Sequence, residues 1–211
     1  MKQLLIVFTF GLSIMLVGCT KITINPTEDT EFPQETITEE PEIKVDMTDK
    51  KQVMEYTLSA LKEENMDKLE TVISKDGVRF SPYSYIDTKT HITLKKEDLK
   101  EAFEGTTQYV RGSEDGTGDP ILLTFKNYLK KYVYDINFEK LSERNYDTIV
   151  QRGNTINNIE DIYSGASTVE FFIPGINPEY EGMDRRSLTL VLQQEDNQRK
   201  VKAIVHNQWT I

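Results

Sequence analysis

Apolar residues recur at the spacing of helices in the part of the chain that begins near residue 48. Thr48 or Asp49 is a suitable cap for a helix whose apolar pattern runs from Val53 to Leu61. Asn65 is a suitable cap for a second, shorter helix whose apolar pattern ends at Ile73. The pattern therefore predicts two consecutive helices at the start of a folded region.

Two further helices are predicted from their boundary signals. Thr93 precedes an amphipathic segment, and Gly105 stands where a helix C-cap would close it. Asp119 followed by Pro120 is the expected start of another helix, because an acidic cap and a proline in the first turn both favour one. Apolar residues then recur as far as Val133, which predicts a helix of about four turns that crosses the core.

The last part of the chain changes to a strand pattern. Residues 168–173, 186–192 and 201–211 are rich in β-branched and apolar side chains. The polar residues 193–200 predict a turn between the last two strands. Helices first and antiparallel strands last predict an α+β fold in which helices pack on a curved antiparallel sheet.

Alternation within the last two strands predicts which side chains share a face. Leu188, Leu190 and Leu192 are expected on one side of their strand. In the last strand the residues expected on one side are Val201, Ala203, Val205 and Trp209.

The first twenty residues carry the pattern of an export signal. The run from Leu4 to Val17 is apolar, follows Lys2 and is too short for a stable membrane span. It ends in Leu16-Val17-Gly18-Cys19, which resembles the bacterial lipobox, where a small residue precedes a cysteine that is lipidated and becomes the mature N-terminus. Residues 1–18 are therefore expected to be a lipoprotein signal peptide, and Cys19 is the expected site of lipidation. The alternative is an ordinary secreted protein in which Cys19 is incidental.

Residues 19–47 have the composition of an acidic, disordered tether. Eight acidic and two basic residues lie between Thr20 and Met47, and three prolines interrupt any helix. Residues 48–211 are then expected to form a single α+β domain. The lipid on Cys19 would anchor this domain to the outward face of the bacterial cell membrane.

Composition excludes several classes of protein. The net charge of −10 argues against nucleic-acid binding, which depends on Lys and Arg displacing counterions. One Cys cannot form an internal disulfide or a thiolate zinc cluster. The acidic, glycine-containing segment 112–119 lacks the ligand spacing of an EF-hand, and no metal or cofactor is expected.

Few residues suggest chemistry. His206 on the last strand could act as a general base if it faced a cavity, or could make a structural hydrogen bond instead. Tyr128, Tyr132 and Trp209 could line an aromatic ligand pocket, or could rim the core with polar ends in solvent.

Several segments of residues 48–211 resemble a set of uncharacterised bacterial lipoproteins. They are Gly77–Tyr83, Val169–Gly175, Pro178–Asp184, Ser187–Leu192 and Ile204–Ile211. The order of elements is similar to the cone-shaped fold of nuclear transport factor 2 and the ketosteroid isomerases. The resemblance implies an NTF2-like cone but no particular activity, because that fold hosts enzymes and binding modules alike.

These patterns lead to two main hypotheses of function. The first is a lipid-anchored, non-enzymatic domain that binds a small ligand or an envelope protein outside the cytoplasm. The alternative is an NTF2-like enzyme of isomerase or hydrolase type, in which His206 or an acid such as Asp87 works in the cavity of a cone. An immunity or inhibitor protein is a third option.

Overall fold

A computed structural model describes residues 44–153 and 155–210. The predicted signal peptide (1–18), Cys19 and most of the predicted tether lie outside these residues. Among the described residues, no helix is long and apolar enough to cross a membrane.

Helices and strands are interspersed along the described chain. The α-helices are α1 (Lys50–Lys62), α2 (Met66–Val72), α3 (Leu99–Glu104), α4 (Phe125–Tyr132), α5 (Phe138–Leu141) and α6 (Ile159–Ile162). The strands are β1 (Val78–Ser81), β2 (Thr93–Leu94), β3 (Tyr109–Ser113), β4 (Pro120–Leu123), β5 (Glu143–Tyr146), β6 (Ser167–Ile173), β7 (Arg186–Glu195) and β8 (Gln198–Gln208). Single turns of 3-10 helix lie at Lys96–Asp98 and Pro178–Tyr180. The predicted α+β class is confirmed.

The main sheet has six strands in the order β2-β1-β8-β7-β6-β5. All neighbours are antiparallel except β1 and β8, which are parallel. Strands β6, β7 and β8 follow one another along the chain, and successive antiparallel strands need only short connections. The hairpin of β3 and β4 forms a separate two-stranded sheet.

The first two helices begin where the capping signals predict. The side chain of Asp49 accepts a hydrogen bond from the Lys51 N–H at 2.8 Å. The side chain of Asn65 accepts one from the Lys68 N–H at 2.9 Å. Each bond satisfies a backbone donor that has no partner inside its helix. Both predictions are confirmed.

The prediction of a helix starting at Asp119-Pro120 is wrong. Pro120 lies in β4, and α4 starts five residues later with Thr124 as its cap, accepting from the Asn127 N–H at 3.2 Å. The backbone carbonyl of Asp119 instead accepts from the Glu114 N–H at 2.7 Å and helps to close the β3–β4 hairpin. This pairing with distant residues outweighs the local capping signal, and α4 has only eight residues.

The third predicted helix is also shorter than expected. Thr93 and Leu94 form β2, which pairs with β1, so α3 begins only at Leu99. Gly105 follows the helix as predicted, but its backbone is extended rather than left-handed.

A bulge in β8 changes the predicted assignment of faces. Val191 pairs with Ala203 whereas Leu192 pairs with Val201, so Lys202 is the extra residue. Val201 therefore packs in the main core with Leu192, while Ala203 and Val205 pack on the opposite side of the sheet. Assigning Val201 to the face of Ala203 was wrong, because alternation fails where one strand has an extra residue.

Both faces of the main sheet are covered. The main core lies between one face and the helices α1, α2 and α4. A smaller cluster on the other face joins Val191 of β7 to Ile86 and to Ile159 of α6. The β3–β4 hairpin packs next to α4, since Ile121 of β4 and Phe125 belong to the main core.

Candidate ligand-binding pocket

Arg111 is the bulkiest fully buried side chain among the described residues and is 2% exposed. It lies in the middle of β3, immediately before Gly112, where the register of the hairpin shifts. Gly112 has φ +124°, and a Cβ there would lie 3.2 Å from the ring of His91 and 3.3 Å from Pro82. Glycine thus allows β3 to approach His91 closely, and this approach places Arg111 in the interior.

Aromatic rings surround the guanidinium of Arg111. Its central carbon lies 5.3 Å from the ring centre of Phe125, 5.6 Å from that of Tyr109 and 6.0 Å from that of Tyr128. Cation–π attraction at these distances offsets part of the cost of burying the charge. Burial lowers the pKa of Arg111, but arginine remains a cation at neutral pH.

The hydrogen-bonding edges of the same guanidinium are mostly unused. Nε donates to the Leu123 carbonyl at 3.1 Å, while Nη1 is buried and has no acceptor among the described residues. No described carboxylate forms an ion pair with Arg111. Buried polar atoms are almost always hydrogen-bonded, so an unused donor of this kind points to a partner from outside the chain.

Arg111 lines a pocket of about 380 Å³ between α3, β2 and β3. We call it the Arg111 pocket, and its lining residues are Ile92, Leu94, Asp98, Glu101, Ala102, Gly105, Thr107, Tyr109 and Arg111. The volume is at the small end of the range for sites that hold small molecules, about 300–1,000 Å³. Its walls are mainly apolar, and the carboxylates of Asp98 and Glu101 are exposed. A pocket with this lining suits a small ligand that has an apolar body and a charged end.

Tyr128, a predicted ligand-binding residue, lies behind this pocket. It does not line the pocket but contacts the guanidinium of Arg111, and it is wholly buried. Its hydroxyl has no hydrogen-bond partner among the described residues. The sequence pattern thus predicts a neighbour of the pocket, Tyr128, but not Arg111 itself.

Tyr132, the second predicted tyrosine, lies in a hydrogen-bonded network. Its hydroxyl donates to Glu114 Oε1 at 2.6 Å, and the Tyr83 hydroxyl donates to Oε2 at 3.0 Å. Lys131 Nζ also donates to Oε1, at 2.9 Å. Burial raises the pKa of Glu114, but these hydrogen bonds lower it by more, so the pKa lies below its ordinary value. Since all partners are satisfied, this network ties the hairpin to α4 and leaves little for a ligand to bind.

His206, the predicted base, is 0% exposed. Its Nδ1–H donates to the Pro82 carbonyl at 3.2 Å, and Nε2 lies 3.2 Å from Asp135 Oδ1. Arg186 Nε donates to the other oxygen of Asp135 at 2.8 Å. We call Asp135, His206 and Arg186 the Asp135 cluster. Burial raises the pKa of Asp135, but the bonds from His206 and Arg186 outweigh it and lower the pKa overall.

Both nitrogens of His206 therefore face acceptors within the protein. Asp87, the acid suggested as an alternative to His206, accepts hydrogen bonds from the Lys89 N–H and the Thr90 hydroxyl. This geometry offers neither an open cavity beside His206 nor a free nitrogen for proton transfer.

Trp209 lies in a different place from the two tyrosines. It is 40% exposed and lines a separate pocket of about 360 Å³ together with Met183, Arg152 and Arg185. This pocket shares no lining residue with the Arg111 pocket. The rings of Tyr128 and Tyr132 are 5.4 Å apart, so the structure brings the two tyrosines together but leaves Trp209 apart.

Within residues 44–153 and 155–210, no group of three or more His, Cys, Asp or Glu side chains is arranged to hold a metal ion. No protein-family model, curated protein or solved structure matches the chain.

Proposed function

We propose that this protein is a lipid-anchored domain on the outward face of a bacterial cell membrane and that it binds a small anionic ligand in the Arg111 pocket. The lipobox-like segment ending in Gly18-Cys19 supports the location. The observation that carries the binding function is the buried guanidinium with an unused donor.

An anionic group is the partner that Arg111 lacks. A buried donor without an acceptor destabilises a protein by about 1–3 kcal/mol, and more where the group is charged. A carboxylate would accept from the guanidinium through two oxygens, which is the geometry that arginine favours. The apolar side chains of Ile92, Leu94 and Ala102 would contact the body of the ligand.

The anchor places the pocket outside the cell in this proposal. Cys19 would carry the lipid, and the acidic residues 20–47 would connect it to the domain. The ligand would then be a molecule of the cell envelope or the surroundings.

The proposed fold is a divergent form of the NTF2-like cone. Two helices at the start and three consecutive antiparallel strands at the end of the described chain support this relationship. An experimental structure tests it: the cone requires a strongly bent sheet that wraps around the helices, and a flat sheet would contradict it.

Thermal unfolding of the full lipidated chain in detergent tests binding. We expect 3-phenylpropionate to raise Tm and its neutral amide to leave Tm unchanged, because only the acid supplies an anionic partner. Acetate and methylphosphonate extend the test to smaller and doubly charged anions. The Arg111→Met variant should lose every shift. No shift with any of the three anions or with L-phenylalanine, which also presents a carboxylate, would contradict the proposal, and so would a shift that survives Arg111→Met.

The anchor is tested in the bacterium itself. Radioactive palmitate should label the wild-type chain, which should fractionate with membranes. Cys19→Ala should abolish the label and release the protein from the membrane fraction. A Cys19→Ala protein that stays with the membranes would show that another element attaches it.

A further inference from the structure

We infer that the ligand of the Arg111 pocket is a small zwitterion, whose carboxylate binds Arg111 and whose ammonium group binds Asp98 and Glu101. This inference rests on the proposed function, because it requires an anionic group at Arg111. It adds the chemistry at the other end of the ligand.

Two carboxylates at the exposed edge of the pocket carry the inference. Asp98 ends the 3-10 turn before α3, and Glu101 lies in the first turn of α3. Residues three apart on a helix lie on the same side, and both of these line the Arg111 pocket. Both are exposed, and neither forms an ion pair with another described residue.

The nearby Asp67 is, by contrast, a carboxylate that is already paired with a lysine. Its two oxygens lie 3.5 Å from Lys100 Nζ, and it does not line the Arg111 pocket. The neighbour of Lys100 in the chain is Glu101, yet this lysine pairs with Asp67. The two pocket carboxylates are therefore free to bind a cation.

The order of charges across the pocket favours a zwitterion over a simple anion. A buried cation and two exposed carboxylates line one cavity, so a ligand with a single negative charge is attracted by one group and repelled by the other two. Such attractions and repulsions between charges a few ångströms apart persist even in water. An ammonium group reverses the sign of the second interaction and supplies three hydrogen-bond donors.

The apolar walls set the character of the part between the charges. Ile92, Leu94 and Ala102 line the pocket along with Arg111 and the carboxylates. A carbon skeleton of a few methylene groups or one ring fits these walls and the volume of about 380 Å³. Doubly charged phosphates do not fit as well, since their second negative charge would face Asp98 and Glu101.

Calorimetric titration of the full chain in detergent with matched probes tests the inference. L-Phenylalanine is compared with 3-phenylpropionate, and 6-aminohexanoate with hexanoate. The two members of each pair differ by one amino group. The distance between the ammonium group and the carboxylate is short in L-phenylalanine and long in 6-aminohexanoate. At least one zwitterion should bind about tenfold or more tightly than its matched anion. In Asp98→Asn combined with Glu101→Gln this advantage should fall below about threefold, while the anions bind equally or more tightly. Asp67→Asn, a matched loss of one carboxylate outside the pocket, should leave the ratio unchanged.

The outcomes separate the two proposals. If the anions bind through Arg111 as tightly as the zwitterions, the inference is overturned and the proposed function stands. The same holds if a zwitterion keeps its advantage in the double variant, because the carboxylates would then not be its partners. If none of the four probes binds and the Tm test also fails, both proposals are wrong.

Discussion

The Asp135 cluster and the Arg111 pocket both hold charged groups that are at least partly buried, but they differ in how many hydrogen-bond partners those groups have. In the cluster, Asp135 accepts from Arg186 and lies beside His206, whose other nitrogen donates to the Pro82 carbonyl. In the pocket, Arg111 makes one hydrogen bond and has no anionic partner among the described residues. A completed network stabilises the fold, whereas an incomplete one has capacity to bind a ligand.

The positions of the two regions fit this difference. The Asp135 cluster joins β7 and β8 of the main sheet to the segment that follows α4, so its bonds connect distant parts of the fold. Arg111 lies on a two-stranded hairpin outside the main sheet, next to a cavity. The next four predictions test whether stability and binding are separated in this way.

The largest effect on stability is expected from Asp135→Ala. This change leaves the buried His206 and the partly buried Arg186 without their carboxylate. Breaking a fully buried ion pair on one side destabilises a protein by about 3–5 kcal/mol, and the partial exposure of this pair reduces the expected loss to about 3 kcal/mol. Urea unfolding at neutral pH measures the loss. Asp135→Asn is the matched control, because its amide oxygen still accepts one hydrogen bond, and it should lose less. A loss below about 1 kcal/mol for Asp135→Ala would show that the cluster is not a major source of stability.

A smaller loss, about 2–3 kcal/mol, is expected from Gly112→Ala. The alanine would have to adopt a backbone conformation with φ +124°, and its Cβ would press against His91 and Pro82. Gly118→Ala is the control, because Gly118 also has a positive φ but nothing lies within 4 Å of its Cβ. The control should lose only about 1 kcal/mol. Equal losses would mean that the contact with His91 does not fix the hairpin that carries Arg111.

Sequence reasoning succeeded where the signals are local. The caps Asp49 and Asn65 act on backbone donors two or three residues away, and both were predicted. The strands β6, β7 and β8 were also predicted, because alternation is a property of a single segment. The turn between β7 and β8 is shorter than expected, with Asp196 and Asn197 as a two-residue loop of positive φ.

Sequence reasoning failed where partners distant in the chain decide. Asp119-Pro120 has a helix-start signal, but pairing with β3 makes it a strand. The parallel pairing of β1 with β8 and the bulge at Lys202 have no local signal. Arg111 was missed for a similar reason. Arginine is seldom fully buried, and only the tertiary approach of the hairpin to α4 covers it.

Stability is also expected to fall as the pH falls from about 6.5 to about 4. Burial lowers the pKa of His91 to about 4, although Asp87 opposes the shift and Arg79 adds to it. The unfolded chain, with a histidine pKa near 6.5, therefore binds more protons in this range, so acid favours unfolding by about 1–2 kcal/mol. Urea unfolding across the range measures the slope. The lowered pKa of Asp135 adds a further loss only at lower pH, below about 3.9.

His91→Asn is the control for this slope. His91 Nδ1 accepts from the Asp87 N–H at 3.1 Å, and the side-chain oxygen of asparagine can accept in the same place without titrating. The variant should therefore depend less on pH between 6.5 and 4. A slope equal to that of the wild type would assign the acid sensitivity to other groups.

The smallest effect on stability is expected from Arg111→Met. Methionine has a flexible apolar side chain that can pack against Phe125 and Tyr128. The change removes a buried charge without leaving a carboxylate unpaired. It loses the hydrogen bond to the Leu123 carbonyl and the cation–π contacts with the surrounding rings. Replacing buried charges by apolar side chains is often neutral or stabilising, so the free energy of unfolding should change by less than about 1 kcal/mol. Urea unfolding beside Asp135→Ala measures the contrast. A loss of about 3 kcal/mol or more would contradict this expectation. It would mean that Arg111, like the Asp135 cluster, makes contacts that stabilise the unliganded protein.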